Sequence, residues 1–170
     1  MKDKIIKILA ESRIMAISTI RPDGWPQTTI VGYAHQDIFI YFTVSRSSQK
    51  FSNIMHDDRV SIAVGQDFHD PSSLLAISMA AHASEVRDPK QRDEIVRLLR
   101  NRHPGLKKLE FPSSPNAAVI RAHPSIITIS DYSKGFGHAD VLTVAPGGLT
   151  EMTAARPDDW GFGSVTKDVS

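Results

Sequence analysis

Over residues 38–53 the chain reads IFIYFTVSRSSQKFSN, an apolar run of strand character that breaks into a Ser/Arg/Lys loop and opens onto a short helix. Serine hydroxyls, the free N–H groups of the helix's first turn and two cations, Arg46 and Lys50, point toward one small volume. Such a set is suited to holding a phosphate. The same letters also fit an ordinary serine N-cap followed by a lysine on a wet surface, so the reading depends on what surrounds them.

The rest of the chain narrows the chemistry. With no cysteine among 170 residues, a disulfide framework, thiolate zinc, iron–sulfur ligation and thiol catalysis are excluded, and redox chemistry requires a bound cofactor. There is no G-x-S-x-G elbow and no H-E-x-x-H, and Gly135-Phe136-Gly137 lacks the third glycine of a dinucleotide fingerprint. The seven histidines are scattered over different elements, whereas a metal site needs three or four converging ligands, so no metal is expected. Asp67-Phe68-His69-Asp70 reads better as a solvated loop than as a ligand cluster, and His82, set among alanines, as a packed histidine. The basic stretch 90–108 carries interleaved acids and no aromatic platform, which fits a solvated helix face and not a nucleic-acid surface. A net charge of +1 favours neither nucleic acid nor membrane, and no apolar run is long enough to span a bilayer. The first residues, with Asp3 and Glu11, carry no cleavage pattern, and a cytoplasmic location is expected.

These residues must be positioned by short elements. Asp3 is placed to cap a first helix with an apolar stripe of Ile5, Ile6, Ile8 and Leu9. Strands follow at 14–20 and 27–33, joined through Arg21-Pro22-Asp23-Gly24, and after a connection at 35–37 comes 38–44, apolar on both faces and read as central. Ser47 or Ser48 caps a helix over 49–56, and 59–65 alternates as a strand. After a loop at 66–73 the pattern predicts a long strand over 74–87 and a helix from Asp88-Pro89 that buries Ile95, Leu98 and Leu99 and ends at His103-Pro104-Gly105. Strands at 117–122 and 126–131 flank His123-Pro124, and 141–144 is a further candidate. The segment 131–138, with glycines beside Tyr132, Lys134, Phe136 and His138, suits either a lip over a ligand or a plain irregular connection. About seven short strands with tight turns describe a mainly β protein: a mostly antiparallel β-barrel with flanking helices.

The pieces Ala16-Ile17-Ser18-Thr19, Pro22-Asp23-Gly24, Pro26, Thr43, Ser48-Gln49-Lys50, Asn53-Ile54 and Asp58-Arg59-Val60, in that order, resemble the pyridoxamine 5′-phosphate oxidase-like family of FMN-binding split barrels. Residues 13–65 carry most of the likeness, and the later strands fit in order. The resemblance implies a split barrel and a homodimer with FMN in each of two interfacial clefts; the barrel is read over 1–145, and Trp160 in the polar C-terminal tail, 146–170, either docks on the partner subunit or hangs free. It assigns the FMN phosphate to Ser48 and Lys50, flanking Gln49, together with Thr29. The flavin ring then lies against the backbone of Ile30 and Val31 and near Thr43. Pyridoxamine phosphate oxidases proper carry arginine where this chain has Thr29 and Gln49, and Arg46, in a loop one residue longer, is the candidate to replace one of those cations.

A flavin performs hydride or electron transfer itself, so the absence of other catalytic motifs accords with this resemblance. The expected function is an oxidoreductase acting on an unidentified small molecule. The alternatives are a deazaflavin-dependent reductase of the same fold and a non-catalytic flavin- or haem-binding protein, the haem form needing His138 or His123 as axial ligand. Pyridoxamine phosphate itself is not expected as a substrate. The lysine those oxidases place at the end of the second strand falls here at Ala34, and no histidine follows His138.

Overall fold

The computed structural model describes residues 1–66, 69–108, 114–145 and 148–153. Helix α1 (Lys2–Glu11) precedes the hairpin β1 (Ile14–Ile20) and β2 (Pro26–Gly32). Next come β3 (Ala34–Gln36), β4 (Phe39–Ser45), α2 (Gln49–His56), β5 (Arg59–Gly65) and β6 (Leu75–Glu85). Helix α3 (Pro89–Arg102) leads to β7 (Ala117–Asp131), β8 (Ala139–Ala145) and β9 (Gly148–Thr153). Among the described residues these strands form one sheet in the order β2-β1-β5-β6-β7-β4-β3, with β8 on β7 and β9 on β8, and every pairing is antiparallel. The two ends of the path, β2 and β3, are consecutive in the chain and joined through Tyr33 alone, so the sheet curls back on itself as a split barrel.

Alternation builds the interior. Along β5, Val60, Ile62 and Val64 point inward between exposed neighbours, and they meet Ile17, Phe42 and Ile77 in the main core. Full burial of a side chain the size of Phe42 contributes about 1.5–3 kcal/mol. Helix α1 seals this core with Ile5, Ile8 and Leu9. A second cluster lies on the other face of β4, where Tyr41 packs with Val86, Ile95, Val96 and Leu99 under α3.

Several expectations change on contact with this fold. Asp3 sits inside the first turn of α1, where the helix dipole favours an acid, but Met1 holds the N-cap position and no side chain caps the helix. Residues 34–36 pair with β4 instead of forming a loop, and the reversal is confined to Asp37, at φ +55°, and its neighbour. The two strands expected at 117–122 and 126–131 are one. The register shifts at Ala80/Ala81 so that Pro124 faces Ala81 and Ile126 faces Ala80, and the extra residue at this bulge lets a proline without an N–H sit in mid-strand. On one edge, the first half of β7 pairs with β4 and the second half with β8. In α3 the buried stripe uses Val96 instead of Leu98. Strand β4 has a neighbour on either side but lies near one end of the sheet, and α3 covers its second apolar face. Strand β9 carries the pairing beyond residue 145, while 154–170, including Trp160, lie outside the described residues.

One close approach fixes the end of β2. The His103 ring donates through Nε2 to the Tyr33 carbonyl at 2.8 Å, and a Cβ on Gly32 would meet His103 Cε1 at 3.1 Å, so only glycine leaves this contact unforced. Tyr33 is fully buried and donates to the Leu9 carbonyl at 2.9 Å; burial, opposed by Arg102, pushes its phenol up to about 12. Arg102 caps the carboxyl end of α1 through the carbonyls of Leu9, Ala10 and Ser12, which removes it from the solvated basic face expected for 90–108.

Candidate functional site

Helix α2 packs against β1, β4 and β6. Its start is set by Ser48, extended at φ −82° and ψ 149°, whose Oγ accepts from Phe51 N at 3.2 Å and donates to Ser45 O at 2.6 Å. The N–H of Phe51 is thereby satisfied, which leaves those of Gln49 and Lys50 as the first-turn donors for a ligand. Asn53, one turn on, is fully buried: its Nδ2 donates to Thr19 Oγ1 and to Gln27 Oε1, both at 3.0 Å, and its Oδ1 accepts from Gln49 Nε2 at 2.8 Å. Every polar atom of that amide is used, and α2 is pinned to both strands of the first hairpin.

Beside this link stand two groups whose needs the protein does not meet. Thr29, two residues along the core-facing side of β2 from Gln27, holds a buried Oγ1 with no hydrogen-bond partner. Lys50 is half-buried, and among the described residues no acceptor or carboxylate reaches its ammonium; burial pushes it below the usual lysine range. Three residues before Asn53, Lys50 shares the helix face turned toward the hairpin. A buried hydroxyl without a partner, an ammonium without one and two backbone N–H groups thus belong to the two elements that the Asn53–Gln27 link joins, a donor set suited to a phosphate.

The other expected residues fall differently. Gln49 spends its side-chain amide on Asn53, and Arg46 is ion-paired with Glu85. Val31 packs on the main core, Ile30 stands outward at 64% exposure, and β2 is an edge strand whose outer backbone groups are open. Thr43 lies on the Tyr41 face of β4, opposite Phe42 and Val44, so its side chain does not join that of Thr29. Sequence reasoning quoted Asn53 without a role. Glu85 gave no local signal, because only the fold carries the end of β6 to the α2 loop.

Among the described residues no cluster of three or more His, Asp or Glu suits a metal ion. His82, expected to be packed, is exposed and bonds Asp58 through Nδ1 at 3.0 Å. His123 faces it across β6 and β7 but leans on Phe39, ring centroids 5.1 Å apart. His138 Nε2 bonds the buried Asp140 at 3.1 Å, and Lys134 holds the other carboxylate oxygen at 2.8 Å. Between them Phe136 projects at 87% exposure from a turn made by Gly135 and Gly137, both at positive φ. No described helix is long and apolar enough to cross a membrane.

The profile of the pyridoxamine 5′-phosphate oxidase family matches residues 1–129, and the chain belongs to that family. Among curated proteins, none matches it. Among solved structures it is similar to a haem-binding protein from Mycobacterium smegmatis, at 18% identity and a TM-score of 0.73, over 84% of this chain and 57% of that one. The chain therefore spans little more than half of that relative. It is also similar to the conserved protein Rv2991 of Mycobacterium tuberculosis (24% identity, TM-score 0.71, 79% of this chain and 86% of that one). The haem storage protein HutZ of Vibrio cholerae follows at 16% identity and a TM-score of 0.63, over 72% of this chain and 89% of that one. At these identities the likeness establishes the fold.

Proposed function

We propose that this chain is an FMN-binding split-barrel homodimer, cytoplasmic, acting as an oxidoreductase on a small molecule. The observation that carries the reading is the pair of unmet groups flanking the Asn53–Gln27 link, the buried Thr29 hydroxyl and the unpaired Lys50 ammonium. A buried polar group left without a partner costs about 1–3 kcal/mol, and a phosphate bound there relieves both. Family membership supports FMN as its bearer. When bound, the flavin supplies the hydride or electron transfer. The chain's own residues bind and orient it: Thr29 donates to the phosphate, Lys50 and the first turn of α2 balance its charge, and the open edge of β2 at Ile30 and Val31 presents backbone groups to the ring.

The dimer rests on a face the chain does not cover. Helix α3 covers the second apolar face of β4, but the outer side of β1, β2 and β5 carries Ala16, Ser18, Ser61 and Ala63, rimmed by exposed Ile14 and Ile30. A second copy laid on it encloses the edge of β2.

A haem-binding reading has one observation of its own, the His138–Asp140 pair, in which a buried carboxylate orients one imidazole nitrogen and leaves the other for iron. It uses another part of the chain. Ser130 pairs with both Ala139 and Ala76, and β6 runs from there to Glu85, roughly 30 Å at about 3.3 Å per residue.

Visible spectra of the purified protein before and after addition of FMN, with sedimentation on the same sample, test the proposal. We expect an oxidised-flavin spectrum, one FMN per protomer and a dimer. A Soret band with no flavin uptake supports the haem reading, and a deazaflavin chromophore supports the reductase alternative. A protein that takes up no FMN and carries no chromophore overturns the assignment. Pyridoxal phosphate formation should stay at background, because Ala34, where a substrate-binding lysine would stand, is buried under α3.

A further inference from the structure

Arg46 is the second cation of the phosphate loop, and the fold commits it elsewhere. Its guanidinium is ion-paired with Glu85, its Nε donates to Pro115 O at 3.1 Å, and it lies over the Phe51 ring, 5.5 Å from the centroid. Phe51 belongs to the first turn of α2, so the Arg46–Glu85 pair stands beside the place where a phosphate would bind. Of the two side chains the carboxylate is the more buried, 10% exposed against 40% for Arg46. Its second oxygen is 3.8 Å from Nε of Arg87, which is 82% exposed and well screened. A carboxylate held next to a phosphate site opposes anions twice, by repelling them and by cancelling the nearest arginine.

We propose that Glu85 is a specificity-determining residue: by holding Arg46 it removes one cation from the cradle and weakens the site's preference for a doubly charged phosphomonoester over a singly charged phosphodiester. The inference rests on the phosphate reading above and adds to it the charge the site is built to accept. A phosphomonoester is largely dianionic above its second pKa of about 6. Against it the cradle sets Lys50, a helix N-terminus of about half a charge, and an arginine already neutralised. A cyclic diester of the same flavin presents one negative charge, which that set matches.

The test is a fluorescence titration at pH 7.5 with three ligands: FMN, riboflavin 4′,5′-cyclic phosphate and riboflavin. Glu85→Gln should tighten FMN roughly 3- to 10-fold, tighten the cyclic monoanion less and leave riboflavin unchanged. In the Glu85→Gln/Arg46→Gln double variant FMN affinity should return to within about 2-fold of the parent, since both charges of one pair are then gone. Arg46→Gln alone leaves the Glu85 carboxylate uncompensated and should weaken FMN roughly 3- to 10-fold, the cyclic monoanion less and riboflavin not at all, whereas an arginine that gripped the phosphate would leave the double variant about 10-fold or more below the parent. This single variant keeps the inference testable should Glu85→Gln fold poorly. An unchanged FMN-to-cyclic ratio in folded Glu85→Gln or in Arg46→Gln, or a double variant that binds FMN about 10-fold more weakly than the parent, overturns the role given to Glu85. Lys50→Ala is run beside them: if it alters none of the three affinities, the cradle itself is wrong, a result separable from failure of the Glu85 inference.

Discussion

Asn53 and Gln27 are joined amide to amide at 3.0 Å, which ties the first turns of α2 to β2 within two residues of the unpaired Thr29 hydroxyl. The link gives the loop–helix segment a fixed place against the hairpin, and the cradle exists only where the two meet. Removing it should cost stability and affinity together.

Asn53→Ala strips partners from Thr19, Gln27 and Gln49 at a fully buried position. The expected loss is about 2–4 kcal/mol of unfolding free energy, the range for breaking a buried hydrogen-bond network. Urea denaturation followed by circular dichroism measures it. A change under about 0.5 kcal/mol would mean that the amide network does not hold α2.

Asp131 should contribute to acid sensitivity. Hydrogen bonds from Lys4 and Ser133, with Lys4 charge in support, lower its carboxyl from 3.8 to about 2. Because the folded value lies below the unfolded one, the stabilisation is fully present above about pH 4 and is lost as pH falls through 2. Asp131→Asn should lower stability at pH 7, by about 1.5–3 kcal/mol for hydrogen bonds to a charged group, and flatten its fall between pH 4 and 2. Parallel pH-dependent melts of the two proteins decide the matter; curves of the same shape contradict it.

How much of this was legible beforehand varies with the range of the interaction. The N-cap at Ser48, the helix over 49–56 and the alternation of β5 are local, set by a serine hydroxyl and by inward Val60, Ile62 and Val64, and the sequence displays them. Pro124 misled for a local reason as well, since only the bulge opposite Ala80/Ala81 lets it sit inside β7. At the candidate site, Lys50 and Thr29 were nameable from the family pattern, but their lack of partners is a property of three-dimensional packing. That Arg46 is spoken for by Glu85, 39 residues away in the chain, has no trace in the loop's own residues.

The outer face of the first hairpin predicts the assembly. Ile30, at 64% exposure on the edge strand, should be buried by the second copy. Ile30→Lys should therefore shift sedimentation from dimer to monomer at micromolar concentration and weaken FMN, while far-ultraviolet circular dichroism stays as in the parent. A variant that remains dimeric shows that the partner lies elsewhere.

The account turns on whether Lys50 and its helix start hold a phosphate, and the direct measurement is the affinity of the parent and of Lys50→Ala for FMN and for riboflavin, which differ only in that group. A charge-assisted hydrogen bond is worth about 1.5–3 kcal/mol, so Lys50→Ala should weaken FMN by roughly 10- to 100-fold and leave riboflavin within 2-fold. Equal FMN affinity in a well-folded Lys50→Ala protein, or equal losses for both ligands, would contradict it.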